Sequence, residues 1–249
     1  DSYTSQTKGS AFRTDYDDHS QGAAVEFTTR VLPRNSMGFS INFKDDTHRG
    51  TDFVPITTPT TMDRSQTFSF GFQDIISITS RLKTTFGFSA DHLKGLHSQQ
   101  YNKSKTAMLP LVCISDPTNT SFRGCLPNVW TYNPQVSLSY TLSSRDTAFF
   151  TFADRGRFPL LSESYSAKFQ SSLPNPDLKP EHSRNWNIGW SHVFGAKTVA
   201  QIEYFHNGLR NSIHSVNLLD TENLCPGSKI VGYCGMNVNI ASESHQGFE

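Results

Sequence analysis

Residues 148–205 read AFFTFADRGRFPLLSESYSAKFQSSLPNPDLKPEHSRNWNIGWSHVFGAKTVAQIEYF. Trp186, Ile188, Trp190 and His192 fall on one side of an extended chain, with Asn187, Gly189 and Ser191 on the other. After the turn at Gly195-Ala196, Ala200, Ile202 and Tyr204 alternate with Gln201 and Glu203. A period of two with one apolar and one polar side is the signature of a strand whose two faces meet different surroundings. Between these strands and the one before them lies Leu173-Pro174-Asn175-Pro176-Asp177-Leu178-Lys179-Pro180-Glu181. Its three prolines exclude helix and strand and keep the chain stiffly extended.

The same alternation recurs outward from this stretch. It predicts strands over Thr7–Arg13, Gln21–Leu32, Met37–Lys44, Ser65–Gln73, Arg81–Asp91, Asn133–Leu142 and Thr147–Ala153, then over His182–Phe194, Thr198–Ile213 and Asn237–Glu249. Met37, Phe39, Ile41 and Phe43 against Gly38, Ser40, Asn42 and Lys44 give the cleanest case. Asp15 to Asp18 reads as a solvated acidic turn, since its three acids lack the remaining spacing of a calcium loop. Three segments with little periodicity, Asp45–Met62, His92–Tyr132 and His214–Gly235, read as long loops.

Connections therefore alternate, short near residues 34, 77, 144 and 196 and long near 54, 112, 167 and 224. In an antiparallel sheet all short turns then lie at one end and all long loops at the other. That asymmetry, with strands of about 9–11 residues, is expected of an outer-membrane barrel. The chain has 249 residues, mean hydropathy -0.46 and 35% hydrophobic content, and no run long enough for a membrane helix. A transmembrane strand needs no such run, because only alternate residues face lipid. Phe is frequent at 19 residues, and lipid can bury its ring without a second protein layer. The expected fold is thus all-β: an antiparallel transmembrane barrel segment of about ten strands with long extracellular loops. A soluble sandwich or propeller is the alternative.

A formal net charge of zero argues against a nucleic-acid partner. The four cysteines form two local pairs, Cys113 with Cys125 and Cys225 with Cys234, without the C-x-x-C spacing of a metal or redox site. They read as two loop disulfides, which implies an oxidising compartment, with four unpaired loop thiols as the alternative. No spacing supports a cofactor or metal. His92, His97, His182, His206 and His214 read as interfacial or solvated residues. Glu26 and Glu203 read as lumen hydrogen-bonding groups. Arg155 and Arg157, at a loop mouth, are candidate contacts for an anionic substrate beside the plainer reading of rim charges. Asn102 and Asn119 head glycosylation sequons, which mean little if the source is bacterial. There is no nucleophile elbow and no H-E-x-x-H, so an outer-membrane hydrolase is a remote alternative.

Pro174 to Glu181 adds a resemblance. PNPDLKPE, followed by an alternating strand, a short turn and a strand ending Tyr204 to Ile213, resembles the C-terminal half of a TonB-dependent outer-membrane receptor barrel. Phe152-Ala153-Asp154-Arg155-Gly156-Arg157-Phe158-Pro159-Leu160-Leu161 resembles the strand-plus-"GfRaP" segment of that family. Ser244 to Glu249 resembles its "GxE" strand opening. Motif residues Asn175, Pro176, Asp177, Leu178, Lys179, Pro180 and Glu181 carry the likeness, which covers residues 136 to 249 well and the remainder through pattern alone. The resemblance implies a barrel of about 22 strands around an N-terminal plug, of which residues 1–249 would be part. It implies uptake of a scarce nutrient such as a siderophore-bound iron, haem or cobalamin, energised by the TonB complex acting through a plug expected upstream of Asp1. A passive porin-like or adhesin barrel is the alternative function.

Overall fold

The computed structural model describes residues 2–7, 10–53, 58–102, 107–110, 125–165, 171–195, 198–221, 225, 228–240 and 242–249. Ten strands build one antiparallel sheet. In chain order they are β1 (Ser2–Thr7), β2 (Ser10–Thr29), β3 (Asn35–Asp52), β4 (Thr61–Ser77) and β5 (Leu82–His97), then β8 (Asn128–Thr141), β9 (Asp146–Arg157), β11 (Glu181–Phe194), β12 (Thr198–Arg210) and β15 (Ser242–Phe248). Each pairs with the next in that order. The intervening elements lie at the long-loop end. They are the hairpin of β6 (Gln99–Asn102) and β7 (Ala107–Pro110), the short helix α1 (Leu161–Tyr165), and a sheet of β10 (Ser172–Leu173), β13 (Ile213–Leu219) and β14 (Tyr233–Asn239).

The register explains the alternation. Phe27, Phe39, Phe72 and Phe88 form one continuous rung, and Val25, Ile41 and Phe70 form the next. Phe39 and Phe72 rings lie 5.1 Å apart, and Phe43 and Phe68 rings 4.8 Å apart. These side chains are nonetheless exposed, Phe27 at 60% and Phe70 at 47%, and no second protein layer covers them among the described residues. A sandwich would have buried them. Aromatic pairs mark both borders of this band. His92 stacks on Trp130 at 4.4 Å and Trp186 on His206 at 5.6 Å toward the loop end; His192 meets Trp190 and Phe194 toward the short-turn end. Trp130 to Tyr140 along β8 is about 33 Å at a strand's rise. Tilted as barrel strands are, that gives an apolar band roughly 25 Å tall.

The opposite face carries Glu26, Ser40, Asn42, Ser69, Gln73, Asn133, Gln135, Asn187 and Glu203. The rings of Phe149 and Phe205 also lie there. Phe149 crosses Gly189 and Phe205 crosses Gly247; a Cβ at Gly189 would sit 2.4 Å from the Phe149 ring. Each ring lies over a neighbouring glycine, so it covers backbone that no side chain shields.

Four sequence expectations are corrected. Asp15 to Asp18 is not a turn: β2 runs straight through it, Asp17 pairing with Arg49 and Asp18 with His48. The first reversal lies nearer the start, between Thr7 and Ser10, so the Thr7–Arg13 segment is split between β1 and β2. Most of Asp45–Met62 is strand as well, β3 continuing to Asp52 and β4 starting at Thr61. Polar extensions beyond the band have no apolar period to read, and cross-strand ion pairs hold them instead. Strands of 12 to 20 residues therefore replace most of the shorter predicted ones. The fourth correction concerns the end of the chain. His214–Gly235 contains β13 and the start of β14, while Asn237–Glu249 is two strands in two sheets, not one. Asn211, with φ 53°, is where β12 gives way to β13.

Candidate functional site

At the loop end, the segment after β9 turns inward over the polar face. Phe158, Leu160 and Leu161 roof a cavity of about 620 Å³, whose floor includes Asp18, Lys44 and His48 of β2 and β3. His48 Nδ1 contacts Asp18 Oδ1, and Lys44 Nζ lies 2.9 Å from Asp46. One wall is thus apolar, the other charged and hydroxyl-bearing.

Arg157 holds this segment in place. Its guanidinium donates to both Glu163 oxygens, at 3.0 and 3.1 Å, and to Glu181 Oε2 at 2.6 Å. The Glu163 and Glu181 carboxylates together push the Arg157 pKa up, so its charge is fixed. Glu181 Oε1 in turn accepts from the Ile213 amide at 2.6 Å, tying β9, α1, β11 and β13 through the side chains of Arg157, Glu163 and Glu181. Burial pushes the Glu181 carboxyl up, but the Arg157 and Ile213 bonds outweigh it and hold it below the ordinary range.

The proline-rich run is fastened to β14 by amide side chains. Asn175 Nδ2 donates to the Asn237 carbonyl at 2.8 Å, and the Lys179 amide donates to Asn239 Oδ1 at 2.8 Å. Asn239 Nδ2 returns bonds to the carbonyls of Lys179 and Asn211. Prolines leave carbonyls without a partner amide of their own, and these asparagines satisfy such backbone without a ladder. Pro176, Leu178 and Pro180 are buried; Asp177 caps the turn by donating its amide to Asn175 Oδ1. Farther across, Tyr165 is buried against Asp63 of β4 and Ser98. Desolvation pushes the Tyr165 hydroxyl up. Asp63, on the extension of β4 beyond the aromatic border, is pushed up to about 6 by burial, with His48 and His97 opposing.

Of the residues singled out in the sequence, Arg155 faces the lumen, exposed, with Nη2 3.3 Å from Gln135 Oε1, and Glu26 lines the same trough. Arg157, by contrast, has its donors engaged by carboxylates. Cys225 and Cys234 form a disulfide across nine residues. Cys125 is buried and disulfide-bonded, while Cys113 and Asn119 lie outside the described residues, as does the Asn102 side chain. Asp220 approaches the Cys225–Cys234 sulfurs, but a disulfide offers no thiolate to a metal. The histidines have other partners: His92 with Trp130 and Asn128, His97 with Gln99, His182 near Asp154, His206 with Trp186. Ser212, His214 and Glu243 do converge, yet serine and glutamate both meet the same nitrogen, Nε2. A relay needs the two ring nitrogens to serve different partners. Sequence reading missed Glu163, Asn237, Asn239 and Tyr165, which no periodicity marks.

A family model, TonB dependent receptor-like, beta-barrel, matches residues 1–249. The chain belongs to this family. No curated protein matches it. Among solved structures it resembles the copper transporter OprC (TM-score 0.69, 14% identity, 96% of this chain and 35% of that one). It also resembles the ferric citrate transporter FecA in its unliganded form (0.64, 12%, 100% and 34%). A third is a double mutant of the Serratia marcescens hemophore receptor HasR, in complex with its hemophore HasA and heme (0.59, 15%, 96% and 39%). At such identities the likeness is one of fold. The chain spans between a third and two fifths of the length of these structures. The family is one of receptors and transporters, and its barrels lie in the outer membrane.

Proposed function

We propose that this chain is part of the wall and outward mouth of an outer-membrane receptor that imports a scarce nutrient with energy supplied through TonB. The nutrient class is a siderophore-bound iron, haem, cobalamin or a similar chelate, and a plug domain would link the barrel to the TonB complex. The observation that carries the reading is the two-sided sheet. A continuous exposed apolar face backs onto a face of amides, hydroxyls and carboxylates, and only lipid outside with a wet or protein-filled lumen satisfies both. The roofed cavity at the loop end is the candidate place of capture, with Arg155 below it as a candidate contact for an anionic group. We assign Arg157 and the motif residues Asn175 to Glu181 to holding the loop. Cys113 and Cys125 would form the second loop disulfide.

The decisive experiment is uptake of ferric siderophores, haem and cobalamin by cells that carry or lack the gene, each with and without TonB. Uptake of one of these that needs both the gene and TonB supports the proposal. Gene-dependent uptake that persists without TonB overturns it in favour of a passive barrel.

A further inference from the structure

The outward face of the sheet changes character over two rungs at the loop end. The aromatic rung Phe43, Phe68, His92 and Trp130 is followed, two residues further along each strand, by Asp45, Gln66, Lys94 and Asn128. By the same parity Asp17, Arg49, Arg64, Asp154 and Arg184 belong to this face. Its acids are met by arginines: Asp17 by Arg49 at 3.4 Å, Asp45 by Arg64 at 2.7 Å, Asp154 by Arg184 at 2.9 Å. Lys94 is exposed and makes no ion pair among the described residues. Arg64 commits Nε and Nη2 to Asp45 and leaves Nη1 without a protein partner there, while Gln66 Nε2 gives one hydrogen to Asp45 Oδ2 at 2.8 Å and keeps its second. The border of the apolar band therefore carries a surplus positive charge immediately above a stacked His92–Trp130 pair.

We propose that Lys94, with the free edge of Arg64 and the Gln66 amide, seats the phosphate-bearing headgroup of an anionic lipid in the leaflet on the loop side, its acyl chains lying along Phe43 and Phe68. The site rests on the reading that the apolar band is in lipid. Two features select a lipid over a dissolved anion. One exposed lysine in water holds a free anion weakly, whereas the adjoining apolar face already holds the rest of an amphiphile. The position also matches where headgroups begin, at the level of the aromatic border, where a lysine stem lies on apolar surface and its ammonium reaches outward.

The test uses the full-length protein in phosphatidylcholine nanodiscs containing a graded fraction of phosphatidic acid. Retained lipids are counted by native mass spectrometry after release. Wild type is expected to retain phosphatidic acid over phosphatidylcholine, and Lys94→Gln to lower that preference about fivefold, the effect of one cation at a charged bilayer surface. Lys94→Glu lowers it further. Lys83→Gln, on the lumen face of the same strand, leaves it unchanged. Equal preference in wild type and both Lys94 variants overturns the site and leaves Lys94 a solvated rim charge. Loss of the preference on adding inorganic phosphate overturns it in favour of a dissolved anion. A wild-type protein that does not enter nanodiscs at all overturns the membrane reading beneath it, an outcome visible before any lipid is counted.

Discussion

Phe70 in the wall and Leu178 in the cap are both apolar, yet one is 47% exposed and the other 7%. The wall has almost no interior. Most of its large side chains face outward, and what fixes it is a ladder of antiparallel pairs from β2 through β12. The cap is the reverse. The few buried apolar groups among the described residues, including Tyr165, Leu178, Cys125, Cys225 and Cys234, cluster at the loop end, bound together by Arg157, Asn175, Asn237 and Asn239. One region borrows its apolar surroundings from the bilayer; the other supplies its own. A substitution should therefore act on one and spare the other.

The largest separation is expected for Phe70→Lys. A lysine near the middle of the lipid face costs about 2–4 kcal/mol, measured by urea unfolding in lipid bilayers, while Ser69→Lys on the neighbouring lumen position costs much less. The cap should not change with Phe70→Lys as long as the barrel is folded. Removing the Cys225–Cys234 bridge by a double serine variant should cost the hairpin at most about 2–3 kcal/mol, given the short loop it closes. Hydrogen exchange should quicken in β13 and β14 and stay unchanged in β3 to β5. Arg157→Ala leaves Glu163 and the half-buried Glu181 facing each other without a cation. For a partly exposed cluster the loss is about 1–2 kcal/mol, seen as faster exchange at Leu161–Tyr165 and at Ile213. Unchanged exchange there would mean that the asparagine bonds alone hold the cap.

The mildest probe is pH. Asp63 has a folded-state pKa raised to about 6 by burial beneath Tyr165. A raised acid pKa means the docked cap binds the proton more tightly than the undocked one. Docking should therefore strengthen as pH falls from about 6 toward the ordinary aspartate value of 3.8, and stay weaker above 6. Exchange at Leu161–Tyr165, corrected for its intrinsic pH dependence, should slow over that window in wild type and lose the trend in Asp63→Asn.

The wall was legible because lipid on one side and water on the other force a strict period of two. Met37–Lys44 and His182–Phe194 could be read residue by residue for that reason. The reading failed where the strands rise clear of the bilayer. Asp15-Tyr16-Asp17-Asp18 looks like a turn in isolation and becomes a strand only because Arg49 and His48 stand opposite. The cap was hardest to read. PNPDLKPE announced that the chain is extended, but its partners Asn237 and Asn239 lie about sixty residues away and follow no pattern. Arg157 looked like a rim charge because Glu163 comes to it only through the inward fold of α1, and Glu181 only through the register of β9 against β11. Arg155, two residues earlier, meets no such pair of acids among the described residues.

The cap touches the sheet at two well-separated places. Arg157 and Glu181 anchor it at β9 and β11, and Tyr165 rests on Asp63 of β4, with β5 and β8 lying between in sheet order. It behaves as a tie-rod across an arch. Flattening the arch would pull Tyr165 off its footing, and drawing the arch tighter would press it home. On this geometry the curvature of the wall and the seating of this outer segment should change together.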